Sequence, residues 1–96
     1  MYTVYEENGH VLAEKVDAHS AAVEMLTSDG YQYYTEQDED GYWDLYVSRK
    51  SRDSYGGNGG YVKWFGVCCA NSEDEIWQAV VDHGEYNGCY VKKVVG

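Results

Sequence analysis

The side chains that could do chemistry in this chain are three cysteines, three histidines and seventeen carboxylates. Zinc takes Cys-x2–4-Cys pairs or histidines at helical spacing. Cys68 and Cys69 are adjacent, Cys89 is distant, and His10, His19 and His83 are scattered, so neither pattern occurs. Asp38-Glu39-Asp40-Gly41 is rich in oxygen ligands. Calcium loops need D-x-[DN]-x-[DN]-G, and Glu36 stands where the first acid of that motif belongs. A nucleophilic thiol needs an electropositive, partly exposed setting. His83 could approach Cys69 or Cys89, but no spacing requires it, and small-hydrophobe packing is the expected role of the cysteines. Adjacent Cys68 and Cys69 point to opposite faces of a strand and do not pair easily with each other. With no secretory signal, reduced thiols are expected. The glycine-rich stretch 49–60 lacks the Gly-Lys-Ser/Thr pattern of a phosphate loop and leads into a strand instead of a helix, so it reads as a mobile hairpin connection. No catalytic signature, metal site or cofactor site follows, and the chain is read as a non-enzyme.

Ninety-six residues make a single domain, 1–96. A chain of this size buries roughly 60–65% of its unfolded surface, enough for one core. No window of apolar residues is long enough to span a membrane. The first residues lack the basic and apolar regions of a signal peptide, so a cytoplasmic location is expected. The net charge is -10. Residues 1–48 hold eleven acids against Lys15 alone, whereas residues 49–96 hold six acids and six bases. The whole excess lies in the first half, which reads as an acidic interaction surface or, equally, as a solvated face that keeps the protein soluble or suits it to a salty cytoplasm. It argues against direct nucleic-acid binding, which needs Lys and Arg to displace counterions.

The elements that must position these charges read clearly in places. Asn8-Gly9 between residues 2–7 and 10–16 is a hairpin signal, with both residues expected at positive φ; Leu12 and Ala13 break the alternation of the second arm. Ser20 reads as the N-cap of a helix over about 19–28, with Ala22, Val23, Met25 and Leu26 on its apolar face and Gly30 ending it. Tyr31 to Ser48 reads as a second hairpin with an acidic tip, Glu36 to Gly41. In its second arm Trp43, Leu45 and Val47 face the core, while Tyr42, Asp44, Tyr46 and Ser48 face the other way. Tyr33 and Tyr34 point to opposite faces, so at least one faces outward. Tyr61 to Cys69 reads as a strand apolar on both faces near its end, with Gly66 marking a bulge or close approach. Ser72 with Glu75 is a capping box for a helix ended by Gly84, with Ile76, Ala79 and Val80 as its stripe and Trp77 at the edge. Asn87-Gly88 turns the chain into a last strand, on which Lys92 and Lys93 take opposite faces.

These elements predict an α+β fold: an antiparallel sheet of about 4–6 strands with two helices packed on one face. If the first hairpin counts as one strand, the order is βαββαβ, the ferredoxin-like plan. The opposite sheet face is then partly open and carries Tyr and Asp. Glu36, Asp38, Glu39, Asp40 and Asp44 would supply charge there, and Tyr34, Tyr42 and Tyr46 contact area. Neutralising Asp38, Glu39 and Asp40 together is expected to weaken partner binding and leave the fold intact.

A small, acidic, single-domain chain with reduced cysteines, a Glu36–Asp40 tip, a Tyr-rich hairpin around it and one-sided charge resembles the anti-CRISPR and anti-restriction proteins of phages and other mobile elements. The resemblance implies a non-enzymatic inhibitor in the host cytoplasm, bound to a CRISPR complex, a restriction enzyme or another basic nucleic-acid-binding protein, with DNA mimicry as one mode. The neutral second half confines any mimicry to one face. The alternative is a protein–protein interaction module, monomeric or dimeric through a sheet edge, with no mimicry.

Overall fold

The computed structural model describes residues 1–48, 61–64, 67 and 69–94. The expected connection over 49–60, the bulge at Gly66 and the packing of Cys68 lie outside these described residues. Among them the chain runs β1 (Tyr2–Tyr5), β2 (Val11–Val16), α1 (Ala18–Thr27), a 3-10 turn (Ser28–Gly30), β3 (Tyr33–Gln37), β4 (Trp43–Ser48), β5 (Tyr61–Lys63), α2 (Glu73–His83), β6 (Glu85–Tyr86) and β7 (Cys89–Lys93). All strand pairs are antiparallel, and the fold is α+β.

The strands divide between two sheets, in the orders β2-β1-β7-β6 and β3-β4-β5. This differs from a single ferredoxin-like sheet for a physical reason. That plan needs the first strand to pair with a strand of the central hairpin, but β2 and β7 occupy both edges of β1. The central hairpin therefore builds its own sheet with β5. The helices join the two halves by packing on each other, α1 over β1 and β2 and α2 over β4. The Cα atoms span 40 × 32 × 15 Å, and the short dimension has room for one sheet layer and one helix layer.

The core lies between those layers. Val4 and Cys89 come from the four-stranded sheet, and Leu45 and Val47 from the three-stranded one. Ala21, Ala22, Met25 and Leu26 come from α1, and Ile76, Trp77, Val80 and Val81 from α2. The helix stripe expected for α2 is shifted: Trp77 is in the core and Ala79 at its margin, because Trp77 fills the seam where α1 and β3 meet. Its ring lies 4.8 Å from His19 and meets Tyr33 edge-on at 5.7 Å. Trp64 and Val67 are buried beyond β5. The strand expected through Cys69 ends at Lys63, although the Trp64 N–H still donates to the Leu45 carbonyl at 2.8 Å. Cys69 sits exposed at φ 57°.

Local signals explain the ends of the elements. The Ser72 hydroxyl accepts from the Glu75 N–H, three acids occupy the first turn of α2, and Gly84 closes it at φ 90°. The cap of α1 is Asp17, not Ser20: the Asp17 carboxylate accepts from the Ser20 N–H at 2.8 Å, placing Ser20 inside the first turn. That hydrogen bond holds the Asp17 carboxyl below its usual range. The two Asn-Gly pairs behave differently. Asn87 and Gly88 both take positive φ, as a two-residue hairpin requires. At Asn8-Gly9 only Gly9 does, because the turn starts one residue earlier, with the Gly9 N–H donating to the Glu6 carbonyl. The β1–β2 pairing carries two register shifts, consistent with the broken alternation at Leu12 and Ala13.

Candidate functional site

The outer face of the three-stranded sheet gathers most of the residues expected to bind a partner. The β3–β4 register sets Tyr34 opposite Tyr46 and Glu36 opposite Asp44, and β5 adds Lys63 opposite Tyr46. Alternation then carries all five side chains to the face away from α2. The Tyr34 and Tyr46 rings stack at 4.9 Å, 10° from parallel, and Tyr61 meets Tyr34 edge-on at 4.9 Å. The Tyr61 hydroxyl donates to Gln32 Oε1 at 2.9 Å, which fixes that ring beside the pair. The result is a half-buried tyrosine platform with carboxylates along its tip-ward end.

Its electrostatics are unbalanced. Glu36 and Asp44 are directly cross-strand, an arrangement that costs stability because like charges face each other. Lys63 Nζ relieves part of this by pairing with Asp44 Oδ1 at 3.1 Å. The hydrogen bond and charge of Asp44 hold the Lys63 ammonium above its usual range. Partial burial, with the nearby Asp44 and Glu36 carboxylates, pushes the Tyr46 phenol up.

The five acids of the hairpin divide into three roles. Asp38 builds the turn: its Oδ1 accepts from the Asp40 and Tyr42 N–H groups, both at 2.9 Å, while its backbone N–H donates to the Tyr42 carbonyl. Gly41 at φ 91° and the Gln37 side chain, which donates to the Gly41 carbonyl, complete that turn. Asp44 is ion-paired, its side chain 14% exposed against 57% for Lys63. Glu36, Glu39 and Asp40 are exposed, and their carboxylates have no partner among the described residues. Tyr42 is exposed at the tip, on the platform side by alternation but beyond the stacked rings. Neutralising Asp38, Glu39 and Asp40 together therefore perturbs the turn as well as the charge.

Tyr61 and Lys63 lie on the same face, and the sequence does not single them out. Their signal was an exposed alternation, Tyr-Val-Lys, at the head of a segment whose apolar end dominated its reading. The other sheet offers an instructive contrast. Tyr5 and Tyr90 also stack on its outer face, at 5.1 Å, but Lys92 lies 5.9 Å from the centre of each ring. That platform carries its own cation; the β3–β5 platform spends its lysine on Asp44.

Two open cavities of about 390 and 400 Å³ flank the Asn87-Gly88 turn. Cys89 lines both and is buried, with its thiol donating to the Ser28 hydroxyl at 3.1 Å. Among the described residues no group of three or more His, Cys, Asp and Glu side chains converges to hold a metal ion. No helix among them is long and apolar enough to cross a membrane. Comparison with protein-family models, with curated proteins and with solved structures gives no match.

Proposed function

We propose that this chain is a non-enzymatic inhibitor. It docks the outer face of β3, β4 and β5, with the acidic tip, on a basic surface of a nucleic-acid-handling protein. The observation that carries this reading is the cross-strand pair Glu36 and Asp44 beside the Tyr34–Tyr46–Tyr61 platform, compensated among the described residues by Lys63 alone. A fold has no need to set two carboxylates face to face, and a local rule broken without a structural gain marks a functional surface. Tyr rings provide contact area with little rotamer entropy to lose, and the exposed carboxylates of Glu36, Glu39 and Asp40 steer a cationic partner into place. A groove that holds a phosphate backbone is such a partner. A CRISPR effector or a restriction enzyme, in the bacterial cytoplasm, fits that description.

The test uses the immobilised protein as bait for bacterial lysate at low and moderate salt, followed by a DNA-binding assay on whatever is retained. A retained nucleic-acid-binding protein, released as salt rises and blocked from DNA by the inhibitor, supports the reading. Retention of neutral or acidic proteins only, indifferent to salt, overturns it.

A further inference from the structure

The edge of this sheet points to how the partner is held. Antiparallel pairing turns alternate backbone groups toward and away from the neighbouring strand. The Asp38 N–H donates to the Tyr42 carbonyl at 2.8 Å, and the Ser48 N–H to the Gln32 carbonyl at 2.9 Å. These two bonds fix the phase of the ladder. Residues 32, 34, 36 and 38 direct their backbone groups at β4, and Tyr33, Thr35 and Gln37 direct theirs outward. Those outward groups have no backbone partner among the described residues.

Folds usually blunt such an edge with a bulge, a Lys, a Pro or short length. The other described sheet does so at both sides. Its edge strand β2 carries two register shifts and Lys15 at φ 54°, and its edge strand β6 is only two residues long. In contrast, β3 pairs through five consecutive residues with no shift and contains neither Lys nor Pro. Among the described residues it is an unbroken edge with no strand beside it.

The charges beside it select the occupant. Glu36 lies on the outer side of the edge strand. On the inner side Glu73 Oε2 accepts from the Thr35 hydroxyl at 2.8 Å, with Asp74 and Glu75 in the same helical turn. A strand added along β3 would thus meet carboxylates with the side chains of both its faces. The geometry points to an extended segment of the partner, with Lys or Arg on both faces, which adds to β3 as a further antiparallel or parallel strand. Arg on the outer side reaches both the Tyr34 ring and Glu36. A second copy of the chain is a poor occupant. Antiparallel self-pairing centred on Thr35 brings the two Glu73 carboxylates together, in a complex of two chains each of net charge -10. This inference rests on the reading that the partner is a basic protein, and adds the mode of contact.

The experiment uses the intact protein with a short peptide in which pairs of arginines alternate with pairs of threonines, so that both faces of the extended peptide carry arginine. The control is the same peptide with every residue N-methylated, which keeps the charge and removes the N–H groups along both edges. Strand addition gives about tenfold tighter binding of the unmethylated peptide. It slows amide exchange at Tyr33, Thr35 and Gln37. Thr35→Pro removes an outward N–H without touching the ladder to β4, and Pro is tolerated at such edge positions. It should cost about tenfold in affinity, while Thr35→Val, which loses the hydroxyl and keeps the N–H, binds within about threefold. Equal, salt-sensitive binding of both peptides, with no protection at the three amides, overturns strand addition and leaves the acidic-face reading standing. Salt-insensitive or absent binding of both overturns the two together. Protection of the same amides in the protein alone, with a dimer mass, assigns the edge to a second copy and overturns the basic segment.

Discussion

Asp38 separates what the hairpin tip does for the fold from what it offers a partner. Its carboxylate accepts two backbone N–H bonds at 2.9 Å, from Asp40 and Tyr42. Each such bond is worth about 0.5–1.5 kcal/mol net. Both are exposed, so the lower part of that range applies, and Asp38→Ala should cost about 1–2 kcal/mol. For a domain of this size, 1 kcal/mol moves the melting temperature by about 4–8 °C. Asp38→Asn keeps an acceptor oxygen in the same place and should cost less than about 1 kcal/mol. Glu39→Gln and Asp40→Asn remove carboxylates with no partner among the described residues, and should stay within about 0.5 kcal/mol of the parent. Thermal melts followed by far-UV circular dichroism at neutral pH order the four variants. Two results would refute the division of the tip: an Asp38→Ala protein as stable as the parent, or Glu39→Gln and Asp40→Asn proteins as unstable as Asp38→Ala. The functional consequence is practical. Charge is best neutralised at Glu36, Glu39 and Asp40, where binding can fall without loss of the turn.

Other perturbations have defined outcomes. Leu45 is fully buried between sheet and helices, so Leu45→Ala should cost about 2–5 kcal/mol, read as a lower urea midpoint. Gly84 closes α2 at φ 90° with open space where a Cβ would go, so Gly84→Ala pays the backbone cost alone, about 1 kcal/mol in the same assay. Asn87 takes positive φ and its Nδ2 donates to the Met25 carbonyl at 3.2 Å, which ties the β6–β7 turn to α1. Asn87→Asp keeps the turn preference and loses the donor, and should cost about 1 kcal/mol. The pH dependence has two arms. Asp17 is depressed in the folded state, so its contribution is complete above the ordinary carboxylate range and is lost as pH falls through its depressed value; Asp17→Asn should flatten the acid side of a stability–pH curve. Lys63 and Tyr46 are raised, so their contributions hold below their ordinary values and are lost as pH rises through the folded ones; Asp44→Asn should flatten the alkaline side.

What could be read in the chain was local. Ser72, Glu75 and Gly84 mark α2 because caps act over a few residues, and the alternation from Tyr42 to Ser48 assigns both faces of β4 because the side-chain period of a strand is two. The start of α1 was harder. Asp17 and Ser20 are both good caps, and the choice is made by packing: a start at Ala18 turns Ala21, Ala22, Met25 and Leu26 together into the core. The split into two sheets was not legible at all. It follows from β1 pairing with β7, from opposite ends of the chain, and no local pattern encodes that contact. The site was legible as composition and not as geometry. Acids and tyrosines announce themselves between Tyr34 and Tyr46. Only the register shows that Glu36 faces Asp44, and only β5, reached through the glycine-rich stretch, brings Lys63 to Asp44. Asp38 and Glu39 look alike in the sequence, and their hydrogen bonds alone tell them apart.

The most direct measurement on the proposed function is competition: the DNA affinity of the captured partner, with the parent protein and with a Glu36→Gln, Glu39→Gln, Asp40→Asn variant. Docking through the acidic tyrosine face predicts that the parent displaces DNA in a salt-dependent way. It also predicts that the triple variant, with a melting temperature at least as high as the parent's, displaces it at least about tenfold less well. Equal displacement by both proteins, or a partner that binds the parent and its DNA at the same time, would contradict it.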